Sequence, residues 1–208
     1  NLSLERQHSE KLLPLVQEIF KELDRTPSSL DAVAVATGPG SFTGLRIGIT
    51  AAKMLGRIFS IPVKGISTLE IMAQGTEGSH ILSLLDARNR RVYYSFYKRL
   101  NNNIFLKQLK KPAGVKISSL PEILAEYKND NIKLVGEMVD EVKKVLEKNN
   151  YKVVISELEN NHPRAAVLAT LGKKYINSAE DDDIYQLKPA YLKKPQAEIN
   201  WQQKYGNN

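Results

Sequence analysis

Apolar residues at Leu12, Leu13, Leu15, Val16, Ile19, Phe20 and Leu23 recur at helical spacing, which predicts a helix over about 8–23. The stripe is wider than one packed face requires, so this helix is expected to meet its own sheet and something else. Thr26-Pro27-Ser28-Ser29 ends it. An apolar run over 31–36 then reads as a buried strand. Gly38-Pro39-Gly40 makes a tight turn, and a second helical pattern follows over about 43–59. Ile61–Gly65 is a short strand, and Ser67 is a candidate cap for a helix over 68–74. Strand, helix and strand in this order form a parallel crossover unit whose first loop lies at the ligand edge of the sheet.

After Gln74–Ser79, which reads as a linker, the pattern changes. Ile81–Leu85 is a strand ending in Asp86-Ala87-Arg88-Asn89. Val92, Tyr94 and Phe96 alternate with Tyr93, Ser95 and Tyr97, giving a strand paired through a short turn. A weaker strand is expected over 104–109. Helices are expected over 121–128, 137–148 and 163–176, the last with Asn161 as cap and Pro163 at its start, and strands over 132–135 and 153–155. Glu180–Asp183 reads as a solvated loop, 187–192 as extended chain, and the tail after Pro195 as loose. The division expected is an N-terminal α/β subdomain, 1–78, and a C-terminal α/β subdomain, 79–208.

The loop after the first strand resembles a nucleotide loop but satisfies neither nucleotide code. A phosphate loop or a dinucleotide fingerprint begun at Gly38 requires a further glycine where Thr43 stands, and no Lys-Ser or Lys-Thr follows. Ser41 and Thr43 sit at a helix start, where capping is their ordinary role. Arg46, in the first turn, can bind an anion or pair with a carboxylate. Gly44, Gly48, Ala52 and Gly56 fall four apart and form one row of small residues. Glycine inside a helix costs roughly 1 kcal/mol relative to alanine, so the row implies a close neighbour. That neighbour is either the chain's own sheet or first helix, or another molecule. The wide stripe on the first helix favours two helices offered jointly to a partner.

The 208 residues carry 30 basic and 23 acidic side chains, a net charge of +7, and no cysteine. Cysteine-ligated metals, disulfides and thiol catalysis are excluded. Residues 1–78 hold eight basic and eight acidic groups, so the whole excess lies beyond them. Its lysines are scattered along the sequence and read as a solvated surface before they read as a nucleic-acid footprint. His8, His80 and His162 have no helical pairing, so no local metal site is expected. Asp86 is either a turn residue or a candidate phosphate-facing carboxylate. No segment is apolar enough to cross a bilayer and no signal segment opens the chain, which gives a cytoplasmic expectation.

Gly38–Gly48, preceded by Gln7-His8-Ser9-Glu10-Lys11-Leu12-Leu13-Pro14, resembles the TsaB (YeaZ) family. Asp86-Ala87-Arg88 with Val92-Tyr93, and Pro189-Ala190-Tyr191-Leu192-Lys193-Lys194, resemble it too. The resemblance implies an actin-like, RNase H-like fold of two α/β subdomains. It implies a role in making threonylcarbamoyladenosine at position 37 of tRNAs that read codons beginning with A. Members of that family are non-catalytic relatives of TsaD, which carries a His-x-x-x-His metal motif absent here. Their two helices corresponding to 8–23 and 43–59 meet TsaD, or a second copy when TsaD is absent. The implied partner-binding residues are Leu12, Leu13, Val16, Phe20, Gly44, Gly48, Ala52 and Gly56. No catalytic residue, metal or cofactor of its own is implied. ATP or ADP enters only in the assembled complex, where TsaE joins and tRNA is contacted indirectly. The family pattern opens with a strand and a hairpin ahead of the first helix, so the first subdomain is expected to lack its N-terminal strands in this sequence. The competing readings are an independent actin-like ATPase or small-molecule kinase, a peptidase, and a direct tRNA-binding module using Lys107, Lys110, Lys111 and Lys116.

Overall fold

The computed structural model describes residues 2–100, 106–178 and 182–192, with side chains described from Lys11 onward. Helix α1, Leu2–Glu22, packs beside α2, Phe42–Phe59. Strands β1, Val33–Gly38, and β2, Val63–Ser67, flank α2 in sequence and pair in parallel, with Val33 opposite Val63 and Ala36 opposite Ile66. Val35 and Val63 meet Ile49 and Ala52 of α2 on one face of this sheet. Alternation turns Ala34 and Ala36 to the other face.

The second sheet has the order β5-β4-β3-β6-β7. Strand β4, Arg91–Arg99, pairs antiparallel with both β3, His80–Asp86, and β5, Leu106–Lys116. Strands β6, Asn131–Gly136, and β7, Lys152–Ile155, continue the sheet in parallel from β3. Helix α4, Leu120–Ile123, and α5, Val139–Lys148, close one face over Leu82, Leu84, Phe96, Ile132 and Leu134. Helix α3, Thr68–Gln74, joins the two units: Ile71 packs with Ile66 of the first sheet, while Met72 and Ala73 pack with Ile81 and Val135 of the second.

The C-terminal part does not keep to the second unit. Helix α6, Ala165–Asn177, lies on the free face of the first sheet, where Leu171 packs with Ile66 and Ile71. Gly172 sits so close to Ala34 that a Cβ there would collide with the Ala34 methyl. Beyond α6, the Asp182 amide donates to Val63 O at 2.9 Å. Its carboxylate accepts from Gly65 N at 2.6 Å and pairs with Lys64 Nζ at 3.2 Å. A division at 78 into two consecutive units therefore leaves out that α6, Asp182, Leu187 and Ala190 pack on the first. A two-stranded parallel sheet has two apolar faces to cover, and α2 covers one.

Several sequence expectations change in detail. The first helix begins at Leu2, so His8 lies inside it rather than at its start, and its side chain is outside the described residues. Strand β5 extends to Lys116, well past the expected 109, and keeps Pro112 because it is an edge strand. The helix expected over 121–128 is a single α-turn followed by a 3-10 turn at Ala125–Tyr127. The linker is pinned: buried Thr76 donates its hydroxyl to Met72 O, and Arg99 donates to Thr76 O at 2.7 Å. Asp182 is a clamp on β2, not part of a solvated loop. The tail after Pro195 lies outside the described residues.

Candidate partner-docking face and glycine loop

The glycine loop leaves β1 and enters α2. Gly38 holds a φ of +109°, a value side chains rarely adopt, and a Cβ there would sit 2.9 Å from Leu45 Cδ1. The Gly38-Pro39 peptide is cis. Ser41 caps α2, its hydroxyl accepting from Gly44 N at 3.2 Å. Gly40, Ser41 and Thr43 remain exposed. The C-terminal segment closes over this loop: Ala190 N donates to Thr37 O at 2.8 Å, and the rings of Phe42 and Tyr191 stack at 5.2 Å. Arg46 also lies over the Phe42 ring, its guanidinium carbon 5.2 Å from the centroid. Sequence reasoning singled out both segments but had no means of bringing them together.

The two-helix face divides differently from the expectation. Ala52 and Gly56 are buried against the chain's own first sheet. A Cβ on Gly56 would collide with Val63 Cγ2, and one on Gly48 would stand 3.7 Å from Val35 Cγ2. The small residues therefore let α2 approach β1 and β2, and the Gly48, Ala52 and Gly56 part of the row faces inward. Gly44 alone is at the surface, near the Ser41 cap. The outward surface is apolar instead. Leu12, Val16 and Phe20 are half-buried along α1, while Leu13, Leu15 and Ile19 are exposed. Met54 and Ile58 of α2 are exposed as well. A shallow groove of about 330 Å³ runs between the helices, lined by Leu12, Leu13, Arg46, Ile47 and Met54. No buried residue is recorded for α1 from Lys11 onward.

Asp86, at the end of β3, is a turn anchor. Its carboxylate accepts from Arg88 N at 2.7 Å and pairs with Arg88 Nη1 at 3.3 Å. Its amide donates to Glu137 Oε2 at 2.8 Å. Asn161 does not cap α6; its Oδ1 accepts from Gly136 N at 2.9 Å, and Arg164 takes the cap position. Gly136 has φ +112°, and a Cβ there would collide with Leu84 O. Its signal, a glycine between an apolar run and a helix, matches that of Gly38 and was legible in the sequence. Of the histidines, His162 is exposed and His80 is buried against Phe96 and Tyr127, 3.6 Å from Asp130. Burial pushes the His80 pKa down, with Asp130 opposing and Lys98 reinforcing the shift. Among the described residues no cluster of three metal-ligating side chains occurs, and no helix is long and apolar enough to cross a membrane.

Solved structures share this arrangement. YeaZ from Pseudomonas aeruginosa superposes with a TM-score of 0.74 at 24% identity, over 90% of this chain and 85% of that one. A second Pseudomonas aeruginosa structure, described as an uncharacterized protein with similarity to peptidase YEAZ, gives 0.71 at 25% identity over 89% and 84%. The fold is thus an actin-like α/β fold of two units. The model for the family described as TsaD, tRNA N6-adenosine threonylcarbamoyltransferase, matches residues 3–201. The tRNA threonylcarbamoyladenosine biosynthesis protein TsaB of Bacillus subtilis is 33% identical over 203 residues, 95% of this chain and 85% of its own length. The Escherichia coli protein of the same name is 39% identical over 104 residues, 48% of this chain and 45% of its own. The chain belongs to the TsaB (YeaZ) family.

Proposed function

We propose that this protein acts in the formation of threonylcarbamoyladenosine on tRNA as a non-catalytic scaffold, and that its α1–α2 face docks TsaD. The biosynthetic role for which its relatives are named supports the pathway. The observation that carries the docking reading is the outward apolar surface of two adjacent helices, Leu13, Leu15 and Ile19 on one and Met54 and Ile58 on the other. Apolar patches of this kind on one side of a polar-surfaced molecule mark interaction sites. A second copy of the chain takes the same face when TsaD is absent. TsaE joins, and nucleotide is bound, in the assembled complex; the chain alone turns over no ATP.

The test is co-purification with TsaD. Leu13→Asp and Met54→Asp place charges on the groove without touching the sheet side of α2, and each should abolish retention of TsaD and shift the chain alone from dimer to monomer elution while the circular dichroism spectrum stays unchanged. Retention of TsaD at wild-type levels by both folded variants would remove the face from the proposal. Robust ATP hydrolysis by the purified chain would favour the independent enzyme instead.

A further inference from the structure

Between Asp86 and Glu122 the chain carries nine basic side chains and no acidic one: Arg88, Arg90, Arg91, Lys98, Arg99, Lys107, Lys110, Lys111 and Lys116. The fold places seven of them on one hairpin, β4 with β5, at the edge of the second sheet, with Arg88 and Arg90 in the turn that enters β4. Cations that looked scattered along the sequence are thereby massed in space.

Some are spent inside the molecule. Arg91 donates to Gly114 O, Arg99 to Thr76 O, Lys110 pairs with Glu126, and Arg88 with Asp86. Arg90, Lys98, Lys107, Lys111 and Lys116 are exposed and have no ion pair among the described residues. The register places like charges directly opposite one another twice, Arg91 against Lys116 and Lys98 against Lys107. Such pairs destabilise a sheet unless an anion lies over them. Lys98 and Lys107 stand on the face that bears Phe96, Arg91 and Lys116 on the other, so the charges flank, on both sides, the outer edge of β5, which pairs with no further strand among the described residues. From Lys107 to Lys116 that edge runs about 30 Å at the usual strand rise.

We infer that the β4–β5 edge binds the phosphate backbone of RNA. Isolated lysines on an edge strand serve to prevent strand-to-strand aggregation, but Arg90 and Lys98 lie off the edge strand and the opposed pairs give up stability for no such gain. A membrane surface would require apolar residues beside the cations, and the exposed large apolar residue here is Leu100 alone among the described ones. A long, uniform row of cations without exposed aromatic platforms fits backbone contact, not base reading. The choice of RNA among polyanions rests on the proposed role in tRNA modification.

The test is fluorescence anisotropy with an unmodified tRNA transcript and the full chain, comparing wild type with the triple variant K107E/K111E/K116E over a salt series. The wild type should bind with an affinity that falls steeply with salt. The triple variant should bind about tenfold or more weakly, with the slope of log K against log salt reduced by about 2, the loss of three phosphate contacts. The conservative K107R/K111R/K116R should bind like wild type. Equal affinity and slope for the charge-reversed protein, still folded and with the elution of wild type, would overturn the inference and leave the lysines as edge protection. Tighter binding of polyglutamate than of tRNA would overturn it in favour of an acidic protein segment. Because the measurement uses this chain alone, failure of TsaD docking leaves its outcome intact. A triple variant that retains TsaD but loses tRNA separates the two surfaces.

Discussion

Phe42 and Tyr191 stack with their ring centroids 5.2 Å apart and their planes 26° from parallel. One ring opens α2, immediately after the glycine loop; the other lies on the returning C-terminal segment. With the Ala190 amide on Thr37 O, the pair ties the last described residues to the loop and to the N-terminal end of α2. Arg46 joins the same stack and also lines the groove.

Tyr191→Ala should release this strap. Stacked aromatic pairs contribute about 0.5–1.5 kcal/mol beyond burial, and Tyr191 is half exposed, so the loss of global stability should lie at the low end. Hydrogen exchange is the better readout: amide protection should fall over residues 37–46, and Tyr191→Phe should restore it. Unchanged protection in the alanine variant would mean that the segment is held without the ring.

The glycines of α2 should separate into two classes. Gly48→Ala adds a methyl in ordinary contact with Val35 and removes a helix glycine, so it should be neutral or stabilise by up to about 1 kcal/mol. Gly56→Ala drives a methyl into fully buried Val63 and to 3.3 Å from Ile61 O, and should destabilise by about 1–3 kcal/mol. Urea unfolding of both variants checks the order. Gly48→Leu would be a poor probe of docking, because its side chain enters the sheet contact.

Asp86→Ala removes the acceptor for Arg88 N and should cost about 1 kcal/mol through the turn. If its role is confined to that turn, the assembled system should still modify tRNA at a permissive temperature. Complete loss of modification with a stable, TsaD-retaining variant would restore Asp86 as a phosphate-facing group.

Acid should loosen the second unit through His80. Its pKa in the folded protein lies below the ordinary 6.5, first because of burial. The unfolded chain therefore binds a proton that the folded chain resists. Stability contributed by neutral His80 is fully present above 6.5 and declines as pH falls from 6.5 towards the depressed folded value. In His80→Gln that decline should be absent. Thermal melts across this range, above the carboxylate region, measure the difference; parallel pH profiles would assign the acid sensitivity elsewhere.

The elements themselves were legible where local pattern decides them. The helical stripe over Leu12–Leu23, the strand ahead of Gly38 and the alternation of Val92, Tyr94 and Phe96 all appear in the structure. The side of α2 to which its small residues point was not. A row four apart states only that something comes close, and both a sheet and a partner satisfy it. Val35 and Val63 settled the matter, because they sit at that distance only once β1 and β2 are paired. The apolar surface of the pair was nonetheless foreshadowed by a stripe on α1 wider than one neighbour can cover.

The amino-acid order by itself determined the crossover unit, the capped helix after the glycine turn and the family resemblance, since each depends on residues adjacent in sequence. Tertiary structure alone decided that α6 and Asp182 return to the first sheet, that Tyr191 covers Phe42, and that seven dispersed cations share one hairpin. The reason is physical. Helical caps, turns and periodicity are short-range energies written into neighbouring residues, whereas the covering of an apolar face and the crowding of charge depend on which distant segments the burial of that face brings together.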